Sequence, residues 1–369
     1  MQESPAAPTA RAGARPARRP GGWLSDRRAR RLVAGLGAYQ SGSLLIALLA
    51  LGAFFTLTSS NFLTSSNLKV VLLTVSVVGI VAVPQAMLLL SGFIDLSVGS
   101  VAVLATIMFG EMMRIWDQPL GLSIVVALLV GVGWGTLNAV LVAYLGFSPV
   151  IVTLGGYAGA RGIADAISHD VTQFSFGDKF SYLGNGELFG LPTPVVIFIG
   201  VFLVGAFLWY QTPLGRHLTA IGANRPAARA VGVSVRRVPA LAYVASGFAA
   251  AAGGLILTSE LDGASPSIGL GLELEVLTAV LLGGVAFSGG RGSLWGVLFG
   301  VLFVGVLDNG LILLNVGPYY VNVAIGGVLI AAAGVDALYQ RLERIPIAVD
   351  EEPAAGAPAV EPPPAQVHA

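Results

Sequence analysis

Five stretches of this chain, 70–94, 118–160, 188–215, 238–259 and 309–335, contain no aspartate, glutamate, lysine or arginine. A helix crosses a bilayer with about 20 apolar residues. Each run is long enough for a crossing, and 118–160 can hold two. Only 11% of residues are charged and 55% are hydrophobic, whereas soluble domains carry about a quarter charged residues. The chain reads as an all-α, polytopic membrane protein. Zero cysteines exclude disulfides, thiolate metal sites and cysteine nucleophiles. A net charge of zero gives no sign of nucleic-acid binding.

Ten spans are expected near 42–58, 68–90, 96–114, 121–145, 149–167, 193–210, 239–258, 273–288, 294–314 and 320–338. Residues 1–41 form an arginine-rich arm and 341–369 a tail rich in Pro, Ala and acids, both expected to be disordered and cytoplasmic, around a membrane domain over 42–340. With the arm inside, 16 of the 20 Lys and Arg fall on the cytoplasmic side, as the positive-inside rule requires. Trp134-Gly-x-Leu-x-x-Val-Leu141 recurs at Trp295–Leu302, in the fourth and ninth spans. These run in opposite directions, which is the pattern of an inverted repeat. Chance is an equal account in a chain this rich in Gly, Val and Leu.

Two polar, glycine-flanked breaks interrupt the apolar sequence. The first contains Gly92, Asp95, Ser97 and Gly99; the second contains Gly289, Gly290, Arg291 and Gly292. Backbone at membrane depth must be satisfied by helix, neighbouring protein or a water-filled cavity, so each break marks a membrane exit or a wall of a solute path. Asp95 is read first as a cap for the following helix and second as a solute contact.

The largest inner loop, 212–238, predicts one short helix. Asn224 is the N-cap, Pro226 lies in the first turn, and Gly232 takes the left-handed C-terminal position. Arg225 and Arg229 share a face, and Ala227, Ala228 and Val231 offer a smooth surface to a partner. An ordinary basic inner loop is the alternative.

Ala227-Ala228-x-x-x-Gly232 resembles the coupling-loop core of ABC importer permeases. Thr212-Pro-Leu-Gly-Arg216, Ala220-Ile-Gly-Ala-Asn224, Gly92–Ser100 and Leu281–Gly296 follow the ribose-type, simple-sugar branch of that family in unbroken order, over roughly 42–340. The resemblance implies a permease subunit in a bacterial inner membrane, taking up a monosaccharide or related polyol. Its implied partners are a cytoplasmic ABC ATPase that binds ATP and Mg, a periplasmic or lipid-anchored sugar-binding protein, a second permease subunit and membrane lipid. No cofactor is expected in this chain, which has no Gly-x-x-x-x-Gly-Lys-Ser/Thr loop. It departs from the family pattern at Pro226, where an acid is usual, and at Asp308-Asn309, where an Asn pair is usual.

Gln85, Asn138, Thr153, Asp308 and Asn309 are candidate contacts for a hydroxyl-rich solute, and each could instead bridge helices. Arg291 is expected to touch the ATPase or lipid headgroups. An ion-coupled secondary transporter is the alternative function, with Asp308 as its coupling carboxylate. An intramembrane enzyme lacks every recognisable catalytic pattern.

Overall fold

The computed structural model describes residues 40–343. The helices are α1 (Gln40–Thr58), α2 (Ser65–Leu90), α3 (Val98–Arg114), α4 (Leu120–Ala139, continued by a π turn over Val140–Tyr144), α5 (Pro149–Ser168), α6 (Asp178–Asn185), α7 (Thr193–Ala206, continued by a π turn over Phe207–Gln211), α8 (Pro213–Ala223), α9 (Arg225–Ala230), α10 (Arg237–Leu261), α11 (Leu272–Leu282), α12 (Leu294–Leu313) and α13 (Pro318–Glu343). Two antiparallel two-stranded pieces join β1 (Gln173–Phe174) to β4 (Gly263–Ala264) and β2 (Glu187–Leu188) to β3 (Leu191–Pro192).

Every expected span coincides with a helix to within a few residues, except the eighth, which stops at Leu282 rather than 288. Gly283, Gly284 and the positive φ values at Gly284, Gly289 and Gly290 explain the early stop. α6, α8 and α9 bring the helices to thirteen among the described residues. α9 is the short helix expected in the inner loop, whereas α6 and α8 were not expected. Both tails lie outside the described residues apart from 40–41 and 341–343, which are helical and extend α1 and α13 past the expected domain limits.

Among the described residues six helices are long and apolar enough to cross a membrane: α2, α4 with its π turn, α7 with its π turn, α10, α12 and α13. The ten-crossing count is therefore not carried by length and hydropathy. α3 and α11 start directly after irregular segments and are short, at 17 and 11 residues. α3 is sheathed in protein, with 14 of its 17 residues buried. α5 carries an Arg161–Asp165 ion pair at 3.3 Å.

α2 and α10 are the bundle's axis; 78% and 67% of their apolar windows are buried, against 22% for α4. α10 packs on α2, α3 and α4. The α4–α10 crossing depends on glycine: a Cβ on Gly131 would overlap the Gly247 carbonyl, and one on Gly135 the Tyr243 carbonyl. Small residues allow such approach between membrane helices, where dispersion rather than hydrophobic burial drives association. At the end opposite the two breaks, α6 caps the bundle. Phe180 stacks on Phe109 with centroids 4.2 Å apart, and Ser259 Oγ accepts the Gly184 N–H at 2.7 Å.

Candidate functional site

The α2–α3 break is folded around Asp95, only 2% exposed. Asp95 Oδ1 accepts from the Ser97 N–H at 2.9 Å, from Ser97 Oγ at 2.6 Å and, longer, from Asn138 Nδ2 at 3.4 Å. Its Oδ2 accepts from Ser246 Oγ at 3.1 Å. Gln85 Nε2 donates to the Asp95 carbonyl at 3.0 Å, Tyr243 Oη to the Ile94 carbonyl at 3.0 Å, and Asn138 Nδ2 to Ser97 Oγ at 3.0 Å. A buried carboxylate in apolar surroundings is tolerated only when its lone pairs are occupied. Here four donor groups from the break, α4 and α10 occupy them. Asp95 thus bonds the N-cap residue of α3 and also ties two distant helices to the break, which a local cap alone would not do. Tyr243 and Ser246 belong to this node and were missed in the sequence. Their i, i+3 spacing on one face of α10 was the available signal.

The two breaks meet each other and α8. The Gly290 N–H donates to the Leu90 carbonyl at 2.7 Å. Gly92, Gly289 and Gly290 have φ of 76°, 81° and 78°, a region side chains rarely adopt. A Cβ on Gly222 would overlap Leu90 O and Gly290 N, so segments more than 60 residues apart are in backbone contact at one point. Gly292 abuts Val285, and Gly99 abuts the Glu273 carboxylate at the start of α11. Arg291 lies 3.9 Å from the Asp336 carboxylate of α13, which also accepts the Phe287 N–H at 3.2 Å. In this structure Arg291 faces α13.

The inner loop is two helices. Thr212 Oγ1 caps α8 by accepting the Leu214 N–H at 3.2 Å, and Pro213 follows at its first position. This cap-and-proline signature stood in the sequence unread. Asn224 Oδ1 caps α9 by accepting the Ala227 N–H at 3.0 Å. Gly232, at φ 86°, closes it: its N–H reaches Arg229 O at 3.1 Å and the Val233 N–H reaches Ala228 O at 3.0 Å, the Schellman arrangement. The expected smooth face needs correction. Ala228 is buried in the core at 3% exposure, while Ala227 is exposed and Val231 is 79% exposed. Arg225 is half-buried, its guanidinium 4.9 Å over the Phe93 ring. Burial and the fields of Arg229 and Arg236 push its pKa below the ordinary arginine value. α9 thereby touches the break two residues from Asp95.

The solute-path candidates do not converge. Gln85 and Asn138 serve the Asp95 node, and Thr153 Oγ1 donates to the Pro149 carbonyl at 2.9 Å within α5. Asn309 exchanges two hydrogen bonds of 2.9 Å with Asn67, pinning α12 to the start of α2. Its amide is committed to helix bridging rather than open to a solute. Asp308, one residue away, is half-buried within electrostatic reach of Glu275 on α11. A double-mutant cycle of Asn67→Ala and Asn309→Ala, read by unfolding in detergent, is expected to give a coupling of about 0.6–1.7 kcal/mol, between the average and the largest value for interhelical polar pairs in membranes. Additive effects would show that the pair contributes nothing.

Residues 67–333 match the protein family described as "Branched-chain amino acid transport system / permease component". The match spans the break, the node and both helices of the inner loop. The chain belongs to this permease family. Among its relatives, the ribose import permease protein RbsC of Haemophilus influenzae is 35% identical over 79% of this chain and 91% of its own length. The D-allose transport system permease protein AlsC of Escherichia coli K12 is 31% identical over 81% and 92%. The ribose import permease protein of the same strain is 36% identical over 79% and 92%. No solved structure matches significantly. The permease is a multi-pass membrane protein and a transport subunit, not an enzyme.

Proposed function

We propose that this permease is the transmembrane subunit of an ATP-driven importer that carries a monosaccharide or related polyol across a bacterial inner membrane. The observation that carries the reading is the similarity to ribose and allose permeases over nearly their whole lengths. The family description names branched-chain amino acids instead. Sugars are favoured because the relatives named above are ribose and allose permeases, and because neutral buried atoms without a partner, Gln85 Oε1, Ser100 Oγ and Trp134 Nε1, stand beside the break and on α4, although Arg225 Nε and Glu273 Oε2 are charged ones there. Neutral donors and acceptors suit hydroxyls better than a zwitterion.

In this reading the permease crosses the membrane ten times with both termini cytoplasmic, and the 42–340 domain works with a second permease subunit. An external binding protein delivers the sugar to the α6 end. ATP and Mg are held by a cytoplasmic ATPase docked on the exposed face of α9, Ala227 and Val231, with the inner loop 212–238 as its address. A stroke on α9 reaches the bundle through Arg225 on Phe93 and through Gly222 against Leu90 and Gly290. Both contacts end on the break that Asp95 holds.

Val231→Asp places a charge on the exposed face without touching the core. It is expected to reduce co-purification of the ATPase about tenfold while membrane insertion persists; about 1.4 kcal/mol corresponds to that factor. Undiminished association would place the dock elsewhere. In vesicles holding permease, ATPase and binding protein, uptake of ribose or allose is expected to need ATP and to persist with a protonophore and without sodium. Uptake that collapses with the proton gradient would return the ion-coupled reading, and uptake of leucine in place of sugar would overturn the substrate class.

A further inference from the structure

Arg225, Arg229 and Arg236 line one cleft of about 490 Å³, opposite the turn of Tyr144, Leu145 and Gly146 where α4 ends. We propose that this cleft holds the phosphate of an anionic phospholipid whose acyl chains lie along α4. Three arginines line it, and among the described residues the ion pairs are Lys69–Glu187, Arg161–Asp165 and Arg291–Asp336, so no carboxylate answers them. Arg225 Nε is buried with no acceptor. The ring of Phe93 holds that guanidinium in place, so one of the three charges is fixed while Arg229 and Arg236 are exposed and free to turn toward an anion. Like charges gathered without a counter-charge repel one another, and an anion with several oxygens relieves this.

The apolar side of the cleft favours a lipid over free phosphate. Leu137, Val140 and Tyr144 are 46%, 43% and 45% exposed and follow one another at three- and four-residue steps down one face of α4 into the cleft. They offer a track for an acyl chain and an aromatic at the headgroup level, where tyrosine is favoured. The site lies behind α9 and does not use the ATPase face, Ala227 and Val231.

The test uses purified permease without ATPase, titrated with phosphatidylglycerol and with phosphatidylcholine of the same acyl chains, with bound lipid read by native mass spectrometry. Wild type is expected to prefer phosphatidylglycerol. Arg229→Gln with Arg236→Gln spares the Arg225–Phe93 contact and is expected to weaken phosphatidylglycerol binding about 25-fold, at about fivefold per arginine, and to leave phosphatidylcholine binding unchanged. Millimolar sodium phosphate is expected to leave the thermal midpoint unmoved. An unchanged phosphatidylglycerol preference in the double variant overturns the proposal. A thermal shift with phosphate equal to that with the lipid assigns the site to free phosphate and overturns the lipid. Absence of any preference in wild type, with ATPase association lost in the double variant, makes the cleft part of the protein interface. Because Val231→Asp should lose ATPase and keep the lipid preference, failure here is separable from failure of the docking reading.

Discussion

Asp95→Ala is expected to destabilise the permease by about 2–4 kcal/mol and to abolish uptake. The substitution leaves the Ser97 N–H, the Ser97 and Ser246 hydroxyls and one Asn138 N–H facing apolar surroundings. Each orphaned buried donor costs about 1–3 kcal/mol in globular proteins, while interhelical polar pairs in membranes average about 0.6 kcal/mol. The sum falls between these scales because Ser97 and Asn138 keep their mutual 3.0 Å bond. Asp95→Asn separates shape from charge. It keeps one acceptor toward Ser97, and its amide can donate to Ser246 once that hydroxyl rotates, so at least half the lost stability should return. Thermal unfolding in detergent of the three proteins decides the matter. An alanine variant as stable as wild type would mean that the node does not hold α4 and α10 to the break.

Gly222→Ala is the second large effect. The added methyl meets backbone on both sides, Leu90 O and Gly290 N, and neither can swing away as a side chain would. Overpacking of this kind costs about 1–3 kcal/mol. If about 1.4 kcal/mol of that falls on the coupled step, uptake drops about tenfold. Gly52→Ala is the control, since its Cβ would have nothing within 4 Å; the change should be neutral or slightly stabilising. ATP hydrolysis measured beside uptake distinguishes a broken link from a lost protein. Hydrolysis retained with uptake lost is the expected pattern, and equal uptake in Gly222→Ala and Gly52→Ala would remove the glycine junction from the mechanism.

Signals that act within a few residues were legible before any coordinates. The caps of α9 are Asn224 to Ala227 and Gly232 to Arg229, three residues apart in each case, so residue type alone announces them. The same rule applied at Thr212-Pro213 would have revealed α8. Helix positions followed from hydropathy, but the number of crossings did not. α3 and α11 are short helices that follow irregular segments, and apolar length alone does not tell a helix facing lipid from one sheathed by its neighbours.

The sequence by itself determined that this chain is a helical membrane permease, where its ten expected spans and the short helix α9 lie, and which breaks interrupt them, but not α6 or α8. Those properties rest on the bilayer as solvent and on contacts three or four residues apart. Only the tertiary structure decided that Asn309 spends its amide on Asn67, 242 residues away, and that Ala228 turns inward while Val231 turns out. It likewise decided that Gly92, Gly222, Gly289 and Gly290 form one junction. Lipid tails and protein interior are almost equally apolar, so hydropathy carries no record of which face meets which neighbour. The partner of a buried polar group is chosen by packing over the whole bundle.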